Sequence, residues 1–337
     1  NGTIDAGVGA GSLGVSYACD SAPNTLAETI GVSLARNTIS GDSTAGIEGF
    51  GAVNTTGGDL SLASTQNRTI DSTSAAVSIS VAIGGEFSVG VSGGGADSRN
   101  VIQGDTTSDL KTTSSDVQGA IALNSSDDST ITTLVQSIAA SGSGGSGSGA
   151  GAVSIGASLA RNELGTNDDS NEIRALIQGL SSNDNTTGIT SLSTTGDASV
   201  TAISTQTINA KVGALAAAIA IAPSGSALAL TGAGSDAGSY IYSDATAGIQ
   251  GLSGQTSTLT VGGNLAIKSR DTSTIDTTAW GASVSAAIGG DGAGIAGSIG
   301  VSLANNDIQR NITAELSQFT SAEVAGSVDV TTNTNGS

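Results

Sequence analysis

The chain has 337 residues, with 50 glycines, 2% aromatic residues, 12% charged residues and a formal net charge of −19. So acidic a chain excludes nucleic acid as a partner, because phosphates attract Lys and Arg. Hydrophobic residues make up 37% and alternate with polar ones, a pattern that excludes disorder. No apolar run approaches the roughly 18 residues that cross a bilayer as a helix, so no membrane insertion is expected.

One short sequence motif, here called the Thr-Ile-Asp phrase, recurs along the chain. It reads Thr-Ile-Asp at 3–5, 69–71 and 274–276, with weaker copies at 130–132 and 207–209. The isoleucines stand at positions 4, 70, 131, 208 and 275, about 68 residues apart. Because the flanking residues recur as well, this spacing indicates an internal structural repeat.

Each repeat shows the same elements in chain order. An alternating stretch such as "DLSLAST" precedes the phrase, a second such as "AAVSISVAI" follows it, and a Gly-rich turn leads to a third such as "FSVGVSG". Alternation with a period of two is typical of β-strands, and two strands around a short turn are typical of a hairpin. Each repeat is therefore predicted to hold three or four short strands with a hairpin inside.

The strongest identity between repeats lies after the turn. Nearly the same octamer reads "IGVSLARN" at 30–37, "IGASLARN" at 155–162 and "IGVSLANN" at 299–306. Small side chains allow neighbouring sheet layers to approach closely. We expect the octamer to be core, so that a charge placed at Ala160 is damaging.

The predicted fold class is all-β. We expect a repetitive β-solenoid, either parallel β-helix-like or built of stacked β-sandwich rungs, of about five units of roughly 68 residues. A Greek-key β-sandwich is the alternative. One elongated repeat domain would span 1–337, in approximate units 1–57, 58–115, 116–195, 196–262 and 263–325, with 326–337 starting a further unit.

The motifs "GDASVTAIST", "IGVSLARN" and "GGNLAIKS" resemble the repeats of large bacterial surface proteins, which are described as filamentous-haemagglutinin-like or adhesin-like. This resemblance covers nearly the whole chain. It implies an extracellular or cell-surface location and a structural or adhesive role, with no catalytic residues to carry over. The chain is shorter than such proteins.

The residue types argue against enzymatic chemistry. The chain has no His, which excludes His-based triads and the usual zinc sites, and Cys19 alone cannot form a disulfide within the chain. Most acids, including Asp127 and Asp184, are expected to be solvated in loops. No organic cofactor is predicted. Calcium is the one candidate ion, with its ligands in the acidic cluster of Asp168, Asp169 and Glu172.

The function that these features favour is that of a structural subunit of an extracellular fibre or biofilm matrix. The tail "SVDVTTNTNGS" followed by the head "NGTIDAGVGAGS" would complete one repeat, which predicts head-to-tail homopolymers. The expected interface residues are Ile4, Val8, Leu13, Val15, Val328 and Val330. A stalk segment of a large monomeric adhesin, cut from a longer array, is the alternative. A calcium- or glycan-binding solenoid is less favoured, and other cell-surface or matrix components are further candidate partners.

Overall fold

A computed structural model describes residues 2–18, 24–180 and 188–334. In these ranges the chain is built of β-strands and contains no helix. The strands in chain order are β1 Gly2–Tyr17, β2 Asn24–Ser40, β3 Ser43–Thr55, β4 Leu60–Gln66, β5 Arg68–Ile83, β6 Phe87–Gln103, β7 Thr106–Val117, β8 Ile121–Asp127, β9 Thr130–Gly144, β10 Gly149–Leu164, β11 Asn171–Gln178, β12 Ser191–Thr194, β13 Ala198–Ser204, β14 Thr207–Ala222, β15 Ser226–Gln250, β16 Thr258–Val261, β17 Leu265–Asp271, β18 Thr274–Gly289, β19 Gly294–Ser317, β20 Ser321–Val324 and β21 Val328–Asn333.

These strands form three sheets, and the named strands pair in parallel throughout the described ranges. Sheet A has the order β1-β5-β9-β14-β18, and sheet C has the order β21-β17-β13-β8-β4. Sheet B has eleven strands in the path β2-β6-β10-β15-β11-β7-β12-β16-β20, with β19 beside β15 and β3 beside β7. The all-β prediction is confirmed, and the parallel pairing differs from the antiparallel pairing of Greek-key sandwiches.

The sheets repeat in the register that the Thr-Ile-Asp phrase predicts. Ile4 pairs with Ile70, Ile70 with Ile131, Ile131 with Ile208, and Ile208 with Ile275. These isoleucines point inward and pack against Ile39, Ile102, Leu164, Ile241 and Ile308 from sheet B. For description we number five units, which begin at β1, β5, β9, β14 and β18. Each unit contributes one strand to sheet A and one to sheet C.

The predicted hairpins are wrong, and the strands beside the Gly-rich turn are longer than predicted. The stretches on either side of the Gly-rich turn at 84–86 are β5 and β6, of 16 and 17 residues, and they lie in different sheets. Their hydrogen-bond partners are the equivalent strands of neighbouring units. We call the pair of facing layers, sheet A and the β2, β6, β10, β15 and β19 part of sheet B, the blade.

The blade is thin because its interior holds small and polar side chains. Ser33 Oγ lies 2.7 Å from Ser74 Oγ across the two layers, and Ser158 Oγ donates to the carbonyl O of Gly213 at 2.6 Å. Along sheet B the side chain of Asn37 donates to Asn100, and that of Asn100 donates to Asn162, both at 2.8 Å. These bonds satisfy polar groups that would otherwise be costly to bury.

Away from the blade the interior is aliphatic. A cluster of fully buried Leu, Ile and Val side chains fills the space between sheet C and the later strands of sheet B. Its largest members include Leu110, Ile121, Leu123, Ile173 and Ile177. Burial of such side chains stabilises a fold by about 1.5–3 kcal/mol each, so this end of the unit carries most of the hydrophobic stabilisation.

The inner glycines of the blade lead to the first testable prediction. A Cβ on Gly156 would lie 2.8 Å from the carbonyl O of Leu215, closer than real contacts allow, whereas a Cβ on Gly232 would have open space around it. We expect Gly156→Ala to destabilise the chain by about 1–3 kcal/mol through overpacking and Gly232→Ala to have little effect. Urea unfolding of both variants measures the difference. Equal midpoints would contradict the observed layer spacing.

Candidate interaction surfaces

The repeated octamer turns its large apolar side chains outward. In its first copy Gly31, Ser33, Ala35 and Asn37 face the blade interior, while Ile30, Val32 and Leu34 face solvent. The exposed fractions of Ile30 and Leu34 are 66% and 51%. The expectation that the octamer is core therefore holds for its small residues and is wrong for its large ones. Contiguous apolar surface of this kind marks sites of interaction.

One such surface is the outer face of sheet A beside the turns, here called face A. It consists of four outward positions on each of five strands, and no charged side chain is among them. Its members are Gly11, Leu13, Val15 and Tyr17 of unit 1; Val77, Ile79, Val81 and Ile83 of unit 2; Ile138, Ala140, Gly142 and Gly144 of unit 3; Leu215, Ala217, Ile219 and Ile221 of unit 4; and Ala282, Val284, Ala286 and Ile288 of unit 5.

A groove runs across the middle of face A. Gly142 and Gly144 of unit 3 form its floor, and the side chains of units 2 and 4 form its walls. The groove has a volume of about 550 Å³. A Cβ on Gly142 or Gly144 would meet no atom within 4 Å, and neither residue has a positive φ. The fold itself therefore does not require glycine at these two positions.

The outer face of sheet B, here called face B, alternates between ridges and grooves. The octamer stands in units 1, 3 and 5, and its outward side chains form ridges, as at Ile155 and Leu159. In the same rows, unit 2 has Gly93, Gly95 and Asp97, and unit 4 has Gly232, Gly234 and Asp236. A groove of about 500 Å³ lies at Gly232 between Ile155 and Ile299. Gly232 and Gly234, like the groove glycines of face A, have open space around a Cβ.

The predicted interface residues lie in two different sheets. Ile4, Val8, Leu13 and Val15 belong to β1 of sheet A, and Val328 and Val330 belong to β21 of sheet C. Ile4 points inward into the isoleucine cluster and is half-buried. Leu13 and Val15 are 72% and 67% exposed and belong to face A, whereas Val8 lies outside it. The structure therefore does not bring these six residues together within one chain.

A buried ion pair at the corner between sheets C and A was missed by sequence reasoning. The Arg68 guanidinium lies 3.3 Å from an Asp127 carboxylate oxygen, with side-chain exposures of 4% and 0%. Arg68 also donates to the carbonyl oxygens of Gly41, Gln103 and Gly104. The expectation that Asp127 is solvated is therefore wrong.

Burial dominates the electrostatics of this pair. It raises the pKa of the Asp127 carboxyl, and hydrogen bonds from Ser129, Arg68 and Gln206 oppose that rise. Burial also lowers the pKa of the Arg68 guanidinium, and the neighbouring Asp127 carboxylate opposes this shift. Two units further along sheet C, Asp271 occupies the equivalent position and is approached by Arg310 at 3.7 Å. Each of these two positions thus holds a buried aspartate beside an arginine.

The candidate calcium ligands are not gathered into a site. Across the described ranges, no three acidic, His or Cys side chains form a group that could hold a metal ion. Asp169 exchanges backbone hydrogen bonds with Thr166 across a tight turn beside Asp168. Both carboxylate oxygens of Glu172 accept hydrogen bonds from Arg174, at 3.0 and 3.1 Å. This pairing disfavours Glu172 as a ligand, and calcium binding there stays a prediction.

Chelation tests the calcium prediction. A ligand that binds only the folded state raises the melting temperature. If the predicted site binds calcium, the chain should melt at a higher temperature in millimolar calcium than in EDTA, and Asp168→Asn should abolish the difference. Equal melting temperatures in the two conditions would contradict the prediction and would agree with the pairing of Glu172 with Arg174.

Comparison with known proteins supplies no family. No family model, no curated protein and no solved structure matches the chain. The described residues contain no helix that could span a bilayer. Cys19 and Asp184 lie outside the described residues. The surfaces must therefore be interpreted from their own geometry.

Proposed function

We propose that the five units wind as a β-solenoid with one turn per unit. The support is the strand order, because every unit places its strands in sheets A, B and C in the same sequence before the next unit begins. Each unit then stacks on its neighbours through parallel ladders, as expected for a repeat protein in which neighbours supply the stability.

On this basis we propose that the chain is a structural subunit of an extracellular fibre or matrix, without enzymatic activity. The observation that carries the proposal is the unbroken register of sheet A through all five units. The interior of the blade is filled by small side chains and leaves no room for a cofactor. The outer faces of the blade are apolar surfaces suited to contact with other molecules. The resemblance to adhesin-like repeats supports the extracellular and cell-surface location.

The rise per residue favours a matrix or fibre over a stalk. Parallel strands are spaced about 4.8 Å apart, so five turns rise only about 24 Å. That is roughly 0.07 Å per residue, against about 1.5 Å for an α-helix. A stalk gains reach from its length, and this architecture provides very little. It provides broad faces instead, which are what a laterally connected assembly needs.

In a head-to-tail form of this assembly, unit 1 of one copy would continue the ladders of unit 5 of another. Sheet A would then join β18 to β1, and sheet C would join β21 to β4. Exposed strand edges template such addition. This joint would place β21 beside β4 of the next copy, and β1 beside β18.

Electron microscopy of the purified chain tests the function. We expect assemblies that grow with concentration, and we expect deletion of 326–337 to shorten them while the circular dichroism spectrum stays β-type. Lengths that the deletion leaves unchanged would refute the head-to-tail joint. Isolated particles at every concentration would overturn the fibre role and favour the adhesin stalk.

A further inference from the structure

A polar cleft lies on the outer side of units 3, 4 and 5, further along sheet B than the apolar part of face B. It has a volume of about 530 Å³, which is within the about 300–1,000 Å³ of small-molecule sites. Residues of the connection between β10 and β11 form one wall, and residues of β15 and β19 form the rest.

An insertion in unit 3 builds this cleft. Strand β10 stays paired with β15 up to Leu164, and β11 resumes the pairing at Asn171. The six residues 165–170 therefore stand opposite the single residue Tyr242. At the same corner β2 and β3 match β6 and β7 residue for residue, as β15 matches β19. Because the repeat folds without the insertion in these other units, the insertion is a candidate for function, and such insertions often stand on the binding face of a repeat protein.

The inserted turn is held firmly on unit 4. Thr166 and Asp169 exchange backbone hydrogen bonds, which close the turn. Ser170 donates a hydrogen bond from Oγ to Asp244 Oδ2 at 2.6 Å. Gly165 has a φ of 70°, and a Cβ there would collide with the carbonyl O of Tyr242, so the glycine lets the turn lie directly on the strand. The cleft is therefore preformed, as most small-molecule sites are.

An aromatic side chain forms part of the cleft wall. The chain has only three Phe, three Tyr and one Trp, yet Tyr240 and Tyr242 stand together here. Their rings are parallel within 5°, with centroids 6.4 Å apart, and the Arg161 guanidinium lies 5.4 Å from the Tyr240 centroid. Tyr242 is the member of this group that lines the cleft. Tyrosine offers an apolar ring and a polar tip, a combination that suits the C–H face and the hydroxyl groups of a sugar.

Polar side chains supply the remaining walls. Tyr242 pairs with Gln309, and Asp244 pairs with Asn311, in the ladder between β15 and β19. Alternate residues of a strand are about 6.6 Å apart, so these two rows bound a slot about one pyranose ring wide. Among the described residues, Asp244 Oδ1 and the Asn311 amide have no hydrogen-bond partner. A carboxylate accepts hydrogen bonds and an amide both donates and accepts them, which matches the needs of neighbouring hydroxyl groups.

From this arrangement we infer that the cleft binds a neutral saccharide, with one sugar ring between the Tyr242 wall and the row of Asp244 and Asn311. Charge selects the neutral class, because a chain of net charge −19 repels acidic polysaccharides. Arg310, the cationic residue of the lining, already has an Asp271 carboxylate oxygen 3.7 Å away. The inference goes beyond the structural role and gives the subunit a partner other than itself.

Saturation-transfer difference NMR on the full chain tests the inference. The probes are glucose, galactose, mannose and N-acetylglucosamine, with glucuronate as the anionic comparison. We expect transfer to at least one of the four neutral sugars and weaker transfer to glucuronate. Transfer to none of the four would overturn the inference, and so would stronger transfer to glucuronate than to every neutral sugar.

Variants locate the binding. Tyr242→Ala should weaken the affinity for the bound sugar about tenfold by removing the aromatic contact, and Tyr242→Phe should keep most of it. Tyr17→Ala is the matched control, because it removes a tyrosine of face A that is 73% exposed and should leave the affinity unchanged. A Tyr242→Ala chain that binds as tightly as the wild type would overturn the inference.

Asn311→Ala keeps the test decisive if loss of the Tyr242 ring unfolds the chain, which circular dichroism would reveal. Asn311 is exposed on β19, so the fold should persist while the affinity falls several-fold. Unchanged affinity in this variant would also overturn the inference.

Binding is measured at a concentration where the chain is monomeric, so it is independent of fibre formation. Filaments without sugar binding would refute this inference alone. Sugar binding by a chain that never forms filaments would refute the proposed fibre role alone.

Discussion

Replacing Arg68 with Ala is expected to lower the free energy of unfolding by about 3–5 kcal/mol, because breaking a buried ion pair leaves an uncompensated charge. Asp127 would keep its hydrogen bonds from Ser129 and Gln206 but lose its only cation within bonding distance among the described residues. The carbonyl oxygens of Gln103 and Gly104 would lose a donor as well. Urea unfolding followed by circular dichroism measures the loss.

The loss should depend on pH in a definite direction. Burial holds the Asp127 pKa above its unfolded value of 3.8, and removal of Arg68 removes an interaction that opposes the rise. A carboxyl with a raised pKa in the folded state contributes stability below the unfolded pKa and loses it as the pH rises through the folded pKa. The destabilisation by Arg68→Ala should therefore be larger at pH 7 than at pH 4.

Two controls separate the buried charge from a general effect of losing a cation. Lys268→Ala removes a partner of Asp329, but both side chains are about half exposed, and the loss should be under about 1 kcal/mol. Adding Asp127→Asn to Arg68→Ala should recover part of the stability at pH 7. A double variant that is no more stable than Arg68→Ala would argue against a buried charge as the cause.

The period of the fold could be predicted from sequence, but the pairing of its strands could not. The five isoleucines of the Thr-Ile-Asp phrase mark the observed ladder because each stands at the same place in its unit. Alternation with a period of two is the same in antiparallel and parallel sheets. The turn at 84–86 could equally close a hairpin or connect two sheets, so only the stacking of neighbouring units decides.

The candidate surfaces were missed because alternation does not say which side of a strand faces inward. The usual rule assigns Ile30, Val32 and Leu34 to the interior. Here the spacing between the blade layers admits only small side chains, which reverses the assignment. A signal was present, since the octamer occurs in units 1, 3 and 5 while the same rows of units 2 and 4 hold glycine and aspartate.

The corner ion pair is a long-range contact that an alignment of the sequence repeats could have predicted. Arg68 and Asp127 are 59 residues apart in the chain. Arg68 stands two residues before the phrase isoleucine of its unit, and Asp127 stands four before the next. Residues at nearly equivalent positions of successive repeats stack on one another. Aligning the repeats therefore places the two charges together, whereas the local composition around Asp127 suggests a solvated loop.

A charged residue in place of Ala160 is expected to lower the free energy of unfolding far more than one in place of its neighbour Leu159. The opposite would be expected if the larger and more hydrophobic leucine pointed into the core. Ala160 is 6% exposed and packs with Ala76, Ala96 and Val135 between the blade layers. Ala160→Glu should cost roughly 2–4 kcal/mol or prevent folding, because an unpaired buried charge is among the costliest changes.

Leu159 points the other way and is 47% exposed. Its ladder neighbours are Asp97 and Asp236, so Leu159→Lys places a cation between two carboxylates on the outer face. The free energy of unfolding should then change by less than about 0.5 kcal/mol, measured at a concentration where the chain is monomeric. Ala160→Lys completes the matched pair, since it carries the same new charge one residue further along. If the two lysine variants unfold at the same urea concentration, the assignment of the octamer's small residues to the inside of the blade is wrong.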